Sequence, residues 1–181
     1  MTKLLVISDS SSLIIGTKAG LLDALAREFR VEIPQSVFEE TVIAGKKLQK
    51  VDALKIEEAV NGKLITVRKA GGCTDKKTAK MLDEFNLDRG ERDAIQLYIR
   101  RNAKLLLVDD RQAINAAKLL GITWTTVPEI IVGFAEKRKI SRGNALDALR
   151  IAQDEGRYKL DFILEAFMKV EKIKGGGKNG D

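Results

Sequence analysis

Residues 104–111 read Lys-Leu-Leu-Leu-Val-Asp-Asp-Arg and join an unbroken aliphatic run to two adjacent carboxylates. An aliphatic run too short for a helix is typical of a strand that is buried on both faces of a parallel sheet. Open α/β sheets bind their ligands at the carboxyl ends of such strands. Asp109 and Asp110 are therefore candidate functional residues, although aspartate is also a common N-cap and a helix is predicted over residues 112–120.

The same pattern opens the chain. Residues 3–8 predict a buried strand that ends in Asp9, and the three serines that follow it predict the start of a helix over residues 13–26. Further strands are predicted over 29–33, 64–67 and 122–125. Further helices are predicted from Pro34, over 51–60 and 76–85, from after Asp88 to about Arg101, and over 127–135, 141–153 and 160–170. Alternation of strands and helices favours a parallel sheet with right-handed crossovers.

Length and composition predict one intracellular domain. The 181 residues suffice for one core, so we expect a single domain over 1–174 and a disordered, glycine-rich tail over 175–181. No apolar run approaches the roughly 20 residues of a membrane span, and the amino terminus lacks a signal peptide's pattern. A cytoplasmic location without membrane attachment is expected.

Two absences limit the possible chemistry. The chain has one cysteine, Cys73, and no histidine. An internal disulfide, a site with several thiolate ligands, and Ser-His or Cys-His nucleophile pairs are thereby excluded. Catalysis would have to use carboxylates, lysine, hydroxyl groups or a hard metal ion. A net charge of +6 suits a polyanionic partner without identifying it.

The acidic residues are expected to converge. In a parallel sheet, the carboxyl ends of the strands and the amino ends of the following helices share one edge. Adjacent helical residues point about 100° apart, so only one residue of each adjacent acidic pair can face a given point squarely. The acids expected at this edge are Asp9, Asp109, Asp110, Glu39 or Glu40, and Glu91 or Asp93.

Clustered carboxylates would take up protons or bind a cation. Oxygen ligands without histidine or cysteine favour Mg²⁺ or Mn²⁺ over Zn²⁺. Such ions activate water and neutralise the charge that develops on a phosphoryl group. The sequence thus indicates phosphodiester hydrolysis in an acidic cleft, with the basic surface holding the polyanion.

Four blocks of the sequence together resemble the PIN-domain nucleases, most closely the small archaeal and bacterial members such as the VapC-like proteins. These blocks are Val-Ile-Ser-Asp-Ser-Ser-Ser-Leu at 6–13, Ile-Pro-Gln-Ser-Val-Phe-Glu-Glu at 33–40, Gly-Glu-Arg-Asp-Ala-Ile at 90–95, and Leu-Val-Asp-Asp-Arg at 107–111. The resemblance covers residues 1–121 by motif and extends to 170 by overall layout.

The resemblance implies a three-layer α/β/α sandwich with a five-stranded parallel sheet, Mg²⁺- or Mn²⁺-dependent cleavage of RNA, and a homodimer. By position it implies that the catalytic metal ligands are Asp9, Glu40, Asp93 and Asp110. Glu91 and Asp109 stay open as alternative ligands, and Ser10 or Ser12 would orient a water or a ligand. Because adjacent strand residues point to opposite faces, only one of Asp109 and Asp110 is expected to face the cleft squarely. The register of the family motif implies that this residue is Asp110, with Asp109 as an outer or alternate ligand or as a helix cap.

Two other functions stay open. One is an RNA-binding or regulatory PIN-like protein without turnover. The other is the toxin of a toxin–antitoxin pair, blocked by a small antitoxin protein. The toxin interpretation is weakened because many VapC toxins have threonine or asparagine where this chain has Asp109, and because the carboxy-terminal helices are longer than in the smallest toxins.

Overall fold

The fold was analysed in a computed structural model that describes residues 3–69, 71 and 75–173. Cys73 and the predicted disordered tail, 175–181, lie outside these residues. Within the described ranges, no helix is both long and apolar enough to cross a membrane.

A five-stranded sheet forms the centre of the fold, and all of its strand pairs are parallel. The strand order is β3-β2-β1-β4-β5. The strands are β1 (Leu4–Ser8), β2 (Phe29–Pro34), β3 (Ile65–Arg68), β4 (Leu105–Leu107) and β5 (Trp124–Thr125). Because helices cover both faces of this sheet, the predicted three-layer α/β/α sandwich is confirmed.

Both faces of the sheet bury apolar side chains, as continuous aliphatic strands require. On β1, Val6 packs into one core, whereas Leu5 and Ile7 pack into the other. On β4, Leu106 and Leu107 also lie in different cores. Successive side chains of a strand point to opposite faces, so each of these strands contributes to both cores.

Helices form the two outer layers. Residues of α1, α2, α5, α9, α10 and α11 contribute to one core, and residues of α6, α7 and α8 contribute to the other. The helices are α1 (Ser10–Lys18), α2 (Leu22–Glu28), α3 (Gln35–Phe38), α4 (Gly45–Lys47), α5 (Val51–Asn61), α6 (Lys76–Asp83), α7 (Arg89–Arg101), α8 (Arg111–Leu119), α9 (Val127–Glu136), α10 (Arg142–Glu155) and α11 (Leu160–Glu171). A π-helical segment, Glu39–Ala44, joins α3 to α4.

The predicted helix over 13–26 is wrong as one element, because it is divided into α1 and α2. Gly20 between them has a φ of +73°. Glycine adopts this left-handed conformation without steric cost, and it ends the first helix. The break leaves α1 short, with its amino end fixed against the end of β1.

Candidate active site

Asp9 lies at the buried centre of the acidic sheet edge. Its backbone N–H donates to the Leu107 carbonyl at 3.2 Å, which places it beside the end of β4. Its carboxylate caps α1 by accepting the Ser12 N–H at 2.9 Å, and the Ser11 hydroxyl donates to it at 3.2 Å. Burial and the nearby Asp109 charge raise the pKa of Asp9 to about 8.

Asp109 is held by donors from two distant parts of the chain. Its Oδ1 accepts the Val127 N–H at 3.0 Å and the Tyr158 hydroxyl at 2.7 Å. Its Oδ2 is buried and has no hydrogen-bond partner among the residues that the structure describes. Burial raises the pKa of Asp109 above its usual value, against the effect of these donors. The Tyr158 hydroxyl stays protonated, since burial and Asp109 raise the pKa of Tyr158.

Asp110 is the N-cap of α8. Its Oδ1 accepts the N–H groups of Gln112 at 2.6 Å and Ala113 at 3.1 Å. Because β4 ends at Leu107, strand alternation does not separate the two aspartates, and Asp109 and Asp110 both line the same cleft. The expectation that only one of them faces the cleft is therefore wrong, and the cap predicted for Asp109 is supplied by Asp110.

Glu91 is the acid that α7 brings to this edge. It is buried, and it forms a capping box with Asp88: Glu91 N–H donates to Asp88 Oδ1 at 2.7 Å, and Asp88 N–H donates to Glu91 Oε2 at 3.0 Å. Burial, with smaller contributions from Asp88, Asp110 and Glu40, raises the pKa of Glu91 to about 7. The cluster thus acts electrostatically on Glu91.

Asp93 lies elsewhere on α7. Residues two positions apart in a helix are separated by roughly 200° around its axis, so Asp93 and Glu91 lie on nearly opposite sides of α7. Asp93 is half-buried, and it is not among the residues that line the cleft beside Glu91 and Asp110. Of the two candidates on this helix, the structure brings Glu91 to the cluster and not Asp93.

Glu40 reaches the cluster from the π-helical segment, Glu39–Ala44. π-helical turns often occur at functional sites. The Ser10 hydroxyl donates a short hydrogen bond to Glu40 Oε2, and burial raises the pKa of Glu40 above its usual value. Glu39 instead pairs with Arg89 at 2.9 Å on the surface. The π-helical segment therefore directs Glu40, and not Glu39, towards Ser10.

Gly90 allows this approach. A Cβ at position 90 would lie 2.6 Å from Glu40 Oε2 and 2.7 Å from Ser10 Oγ. Only a residue without a side chain lets the first turn of α7 pack so closely on Glu40.

Glu91, Asp109 and Asp110 line an open cleft of about 530 Å³. Arg111 and Arg157 also line this cleft and are exposed. Asp9 has no exposed surface, and neither Asp9 nor Glu40 is among the residues that line the cleft. The arrangement combines carboxylates at the centre with guanidinium groups beside them, which suits a phosphate-bearing ligand.

Glu32 is a buried carboxylate of a different kind. It lies on β2 with no exposed surface, and it accepts hydrogen bonds at 2.9 Å from Arg68 Nη2 and from Arg101 Nε. Burial would raise the pKa of Glu32, but these two arginines outweigh it and hold the pKa below the usual value. Arginine already neutralises Glu32, whereas no comparable cation meets Asp9 among the described residues.

The oxygen atoms of these acids fit a hard divalent cation. The acids supply only oxygen atoms, and the carboxyls of Asp9 and Glu91 are buried among other carboxyls without a neutralising cation in the described ranges. Ser12 Oγ is also buried; it lowers the pKa of Asp9 and Asp109, yet it makes no hydrogen bond of good geometry within those ranges. The described residues include no ready-made group of three acidic or cysteine ligands. Mg²⁺ requires no such group, since it is commonly held by one or two carboxylates and several waters.

Three features of the site were not found from the sequence. Tyr158 lies in a short polar connection between two helical patterns, and a lone tyrosine carries no motif. The Val127 N–H is a backbone donor, which no side-chain pattern reveals. Glu32 did leave a signal, because an acid within the apolar strand Phe29–Pro34 requires a cationic partner.

Comparison with known proteins shows to which family this chain is similar. The PIN-domain family matches residues 5–172. A solved domain of a functionally unknown protein from Methanocaldococcus jannaschii DSM 2661 is similar at 17% identity with a TM-score of 0.45, over 68% of this chain and 90% of that chain. No curated protein matches this chain.

Proposed function

The chain belongs to the PIN-domain family, and we propose that it is a Mg²⁺- or Mn²⁺-dependent ribonuclease that hydrolyses phosphodiester bonds of RNA. Family membership supports a nuclease-type fold and a nucleic-acid substrate. The observation that carries the proposal is that Asp9 and Glu91 are buried with other carboxyls at one edge of the sheet, without a neutralising cation among the described residues, and this supports a site for a divalent ion.

The proposed ligands come from four elements of the fold. Asp9 follows β1, Glu40 lies on the π-helical segment, and Glu91 lies on α7. From the loop after β4, Asp109 offers Oδ2, which has no hydrogen-bond partner among the described residues, and Asp110 caps its helix through Oδ1. A bound divalent ion would activate a water molecule and neutralise charge on the phosphoryl group.

Hydrogen bonds hold these carboxylates in place. Ser10 orients Glu40, the Asp88 N–H orients Glu91, and the Ser12 N–H orients Asp9. Preorganised ligands need not rearrange when the ion binds. This assigns Ser10 to orienting a carboxylate, whereas Ser12 acts mainly through its backbone.

The RNA backbone is proposed to enter beside Arg111 and Arg157. Guanidinium groups bind phosphates through paired hydrogen bonds, and both side chains are exposed at the cleft. This places phosphates next to the carboxylates that hold the ion. The toxin role, the antitoxin partner and the homodimer stay predictions from the family resemblance.

The test is cleavage of a fluorogenic single-stranded RNA with Mg²⁺, with Mn²⁺ and with a chelator. We expect cleavage with either ion and none with chelator, and loss of cleavage in Asp9→Asn and Asp110→Asn. Asp23→Asn, which removes an exposed acid on α2, is the matched control and should cleave normally. RNA binding without a metal-dependent product would favour the non-catalytic alternative.

A further inference from the structure

The connection between α10 and α11 reaches the cleft, although it is far in sequence from the acidic motifs. It covers residues 156–159, and Gly156 and Arg157 line the cleft. Tyr158 follows, and its hydroxyl donates to Asp109 Oδ1 at 2.7 Å. A side chain from the carboxy-terminal part of the chain therefore holds one of the proposed metal ligands.

The two donors to Asp109 act on the same oxygen. Val127 N–H and the Tyr158 hydroxyl both reach Oδ1, at 3.0 Å and 2.7 Å. Two donors from different directions restrict rotation of the carboxylate, and Oδ2 is left buried without a partner in the described part of the chain. A buried carboxylate oxygen without a donor is costly unless something else meets it.

The position of Tyr158 is itself fixed by packing. A Cβ on Gly156 would lie 2.1 Å from Tyr158 Cε2, so this glycine lets the ring lie against the backbone. The ring also packs near Phe162, with centroids 6.0 Å apart. One residue before Gly156, Glu155 pairs with Lys18 of α1 at 2.5 Å, which ties the end of α10 to the helix that Asp9 caps.

We propose that Tyr158 is a positioning residue of the active site, which fixes Asp109 so that its Oδ2 is presented to the divalent ion beside Asp9. This inference rests on the proposed function. Without the hydroxyl, Oδ1 of Asp109 would lose one of its two hydrogen-bond donors and keep the Val127 N–H, so the carboxylate could rotate away from the ion. Removing a residue that orients a metal ligand typically lowers metal affinity or activity by roughly 10- to 100-fold.

The test compares the two tyrosines of the chain as Tyr→Phe variants. Tyr158→Phe removes the hydroxyl and keeps the ring. Tyr98→Phe makes the same change on α7, where the ring packs against the other core. Binding of Mn²⁺ alone to the full chain is measured by isothermal titration calorimetry, and the Mn²⁺ concentration for half-maximal RNA cleavage is measured in parallel.

We expect Tyr158→Phe to bind Mn²⁺ about tenfold more weakly and to need about tenfold more Mn²⁺ for cleavage, whereas Tyr98→Phe should behave as wild type. Cleavage by Tyr158→Phe should recover at saturating Mn²⁺, which a damaged fold would not allow. Gly156→Ala, which displaces the ring, should weaken Mn²⁺ binding in the same direction.

If the wild type binds Mn²⁺ and cleaves RNA but Tyr158→Phe and Tyr98→Phe bind Mn²⁺ with equal affinity, this inference alone is overturned. A wild type that neither binds Mn²⁺ nor cleaves RNA would overturn the proposed function and this inference with it.

Discussion

The charged form of the Asp9 carboxyl is costly to bury, and this links protein stability to pH. Its carboxyl has no exposed surface, and burial with the Asp109 charge raises the pKa of Asp9 to about 8. An Asp in the unfolded chain has a pKa near 3.8, so the folded state binds more protons than the unfolded state at pH values between about 4 and 8. The metal-free protein therefore loses stability as the pH rises from about 4 to about 8.

Asp9→Asn should abolish cleavage and stabilise the metal-free protein at pH 8, by roughly 2 kcal/mol or more. Asparagine can still accept the Ser12 N–H, but it places no charge in the buried site. Thermal unfolding at pH 5 and pH 8 measures the effect, and the gain should be larger at pH 8. Asp23→Asn, at an exposed position, should show no such gain. Equal unfolding profiles for both variants would contradict the assignment.

Matched amide substitutions can distinguish the roles of Glu91 and Asp93 in cleavage. We expect Glu91→Gln to lower cleavage at least about 100-fold, because it removes a charge from the cluster while the amide oxygen can still accept the Asp88 N–H. Asp93→Asn should cleave close to wild type, since Asp93 lies on nearly the opposite side of α7. Steady-state cleavage at saturating Mn²⁺ is the measurement, and a larger loss in Asp93→Asn would restore the ligand implied by the family motif.

At the scale of elements, the site depends on how the first turn of α7 packs against Glu40 of the π-helical segment. Gly90 lies at this contact, against Glu40 and Ser10. The apolar periodicity of α7 was predicted from its sequence. A π-helical turn leaves no comparable pattern, because it inserts one residue per turn without changing which residues are apolar.

Gly90→Ala tests this contact between α7 and Glu40. The new Cβ would lie 2.6 Å from Glu40 Oε2, so Glu40 must move and cleavage should fall about tenfold or more by the scale of misplaced ligand partners. Gly133→Ala on α9 is the control, because a Cβ there would meet no atom of the described residues within 4 Å. The control should keep full activity and gain roughly 0.5–1 kcal/mol of stability. Full activity in Gly90→Ala would contradict the close packing proposed for Glu40.

Strand-end acids were predictable from the sequence because the residue that follows a buried parallel strand lies at the edge of the sheet where ligands bind. Asp9, Asp109 and Asp110 were all identified in this way. The donors that hold Asp109 were not, since Val127 and Tyr158 lie 18 and 49 residues away along the chain. Their proximity depends on how β5, α9 and α10 pack, which local patterns do not contain.

The whole molecule combines an acidic cleft with a net charge of +6. RNA binding should release counterions from the phosphates that arginines and lysines contact. With the Asp9→Asn variant, which should not cleave, RNA affinity is expected to fall several-fold between about 50 and 200 mM salt.

Arg157→Gln should reduce the slope of log affinity against log salt by about 0.7, the value for one phosphate contact on a single strand. Arg150→Gln removes an exposed arginine of α10 that pairs with Asp147, and it should leave the slope unchanged. Fluorescence anisotropy of labelled RNA measures both slopes, and equal slopes for the two variants would remove Arg157 from the RNA path.

The most direct test of the metal-dependent site is a crystal structure of the full chain soaked with Mn²⁺, with anomalous scattering recorded to locate the ion. We predict an anomalous peak at the cleft between Asp9, Glu91 and the 109–110 loop, with a carboxylate oxygen within about 2.2 Å, near the upper end of the range for small divalent ions. The same peak should be absent in Asp9→Asn crystals soaked in parallel. Manganese bound only elsewhere, or no peak at this edge at saturating Mn²⁺, would contradict the account.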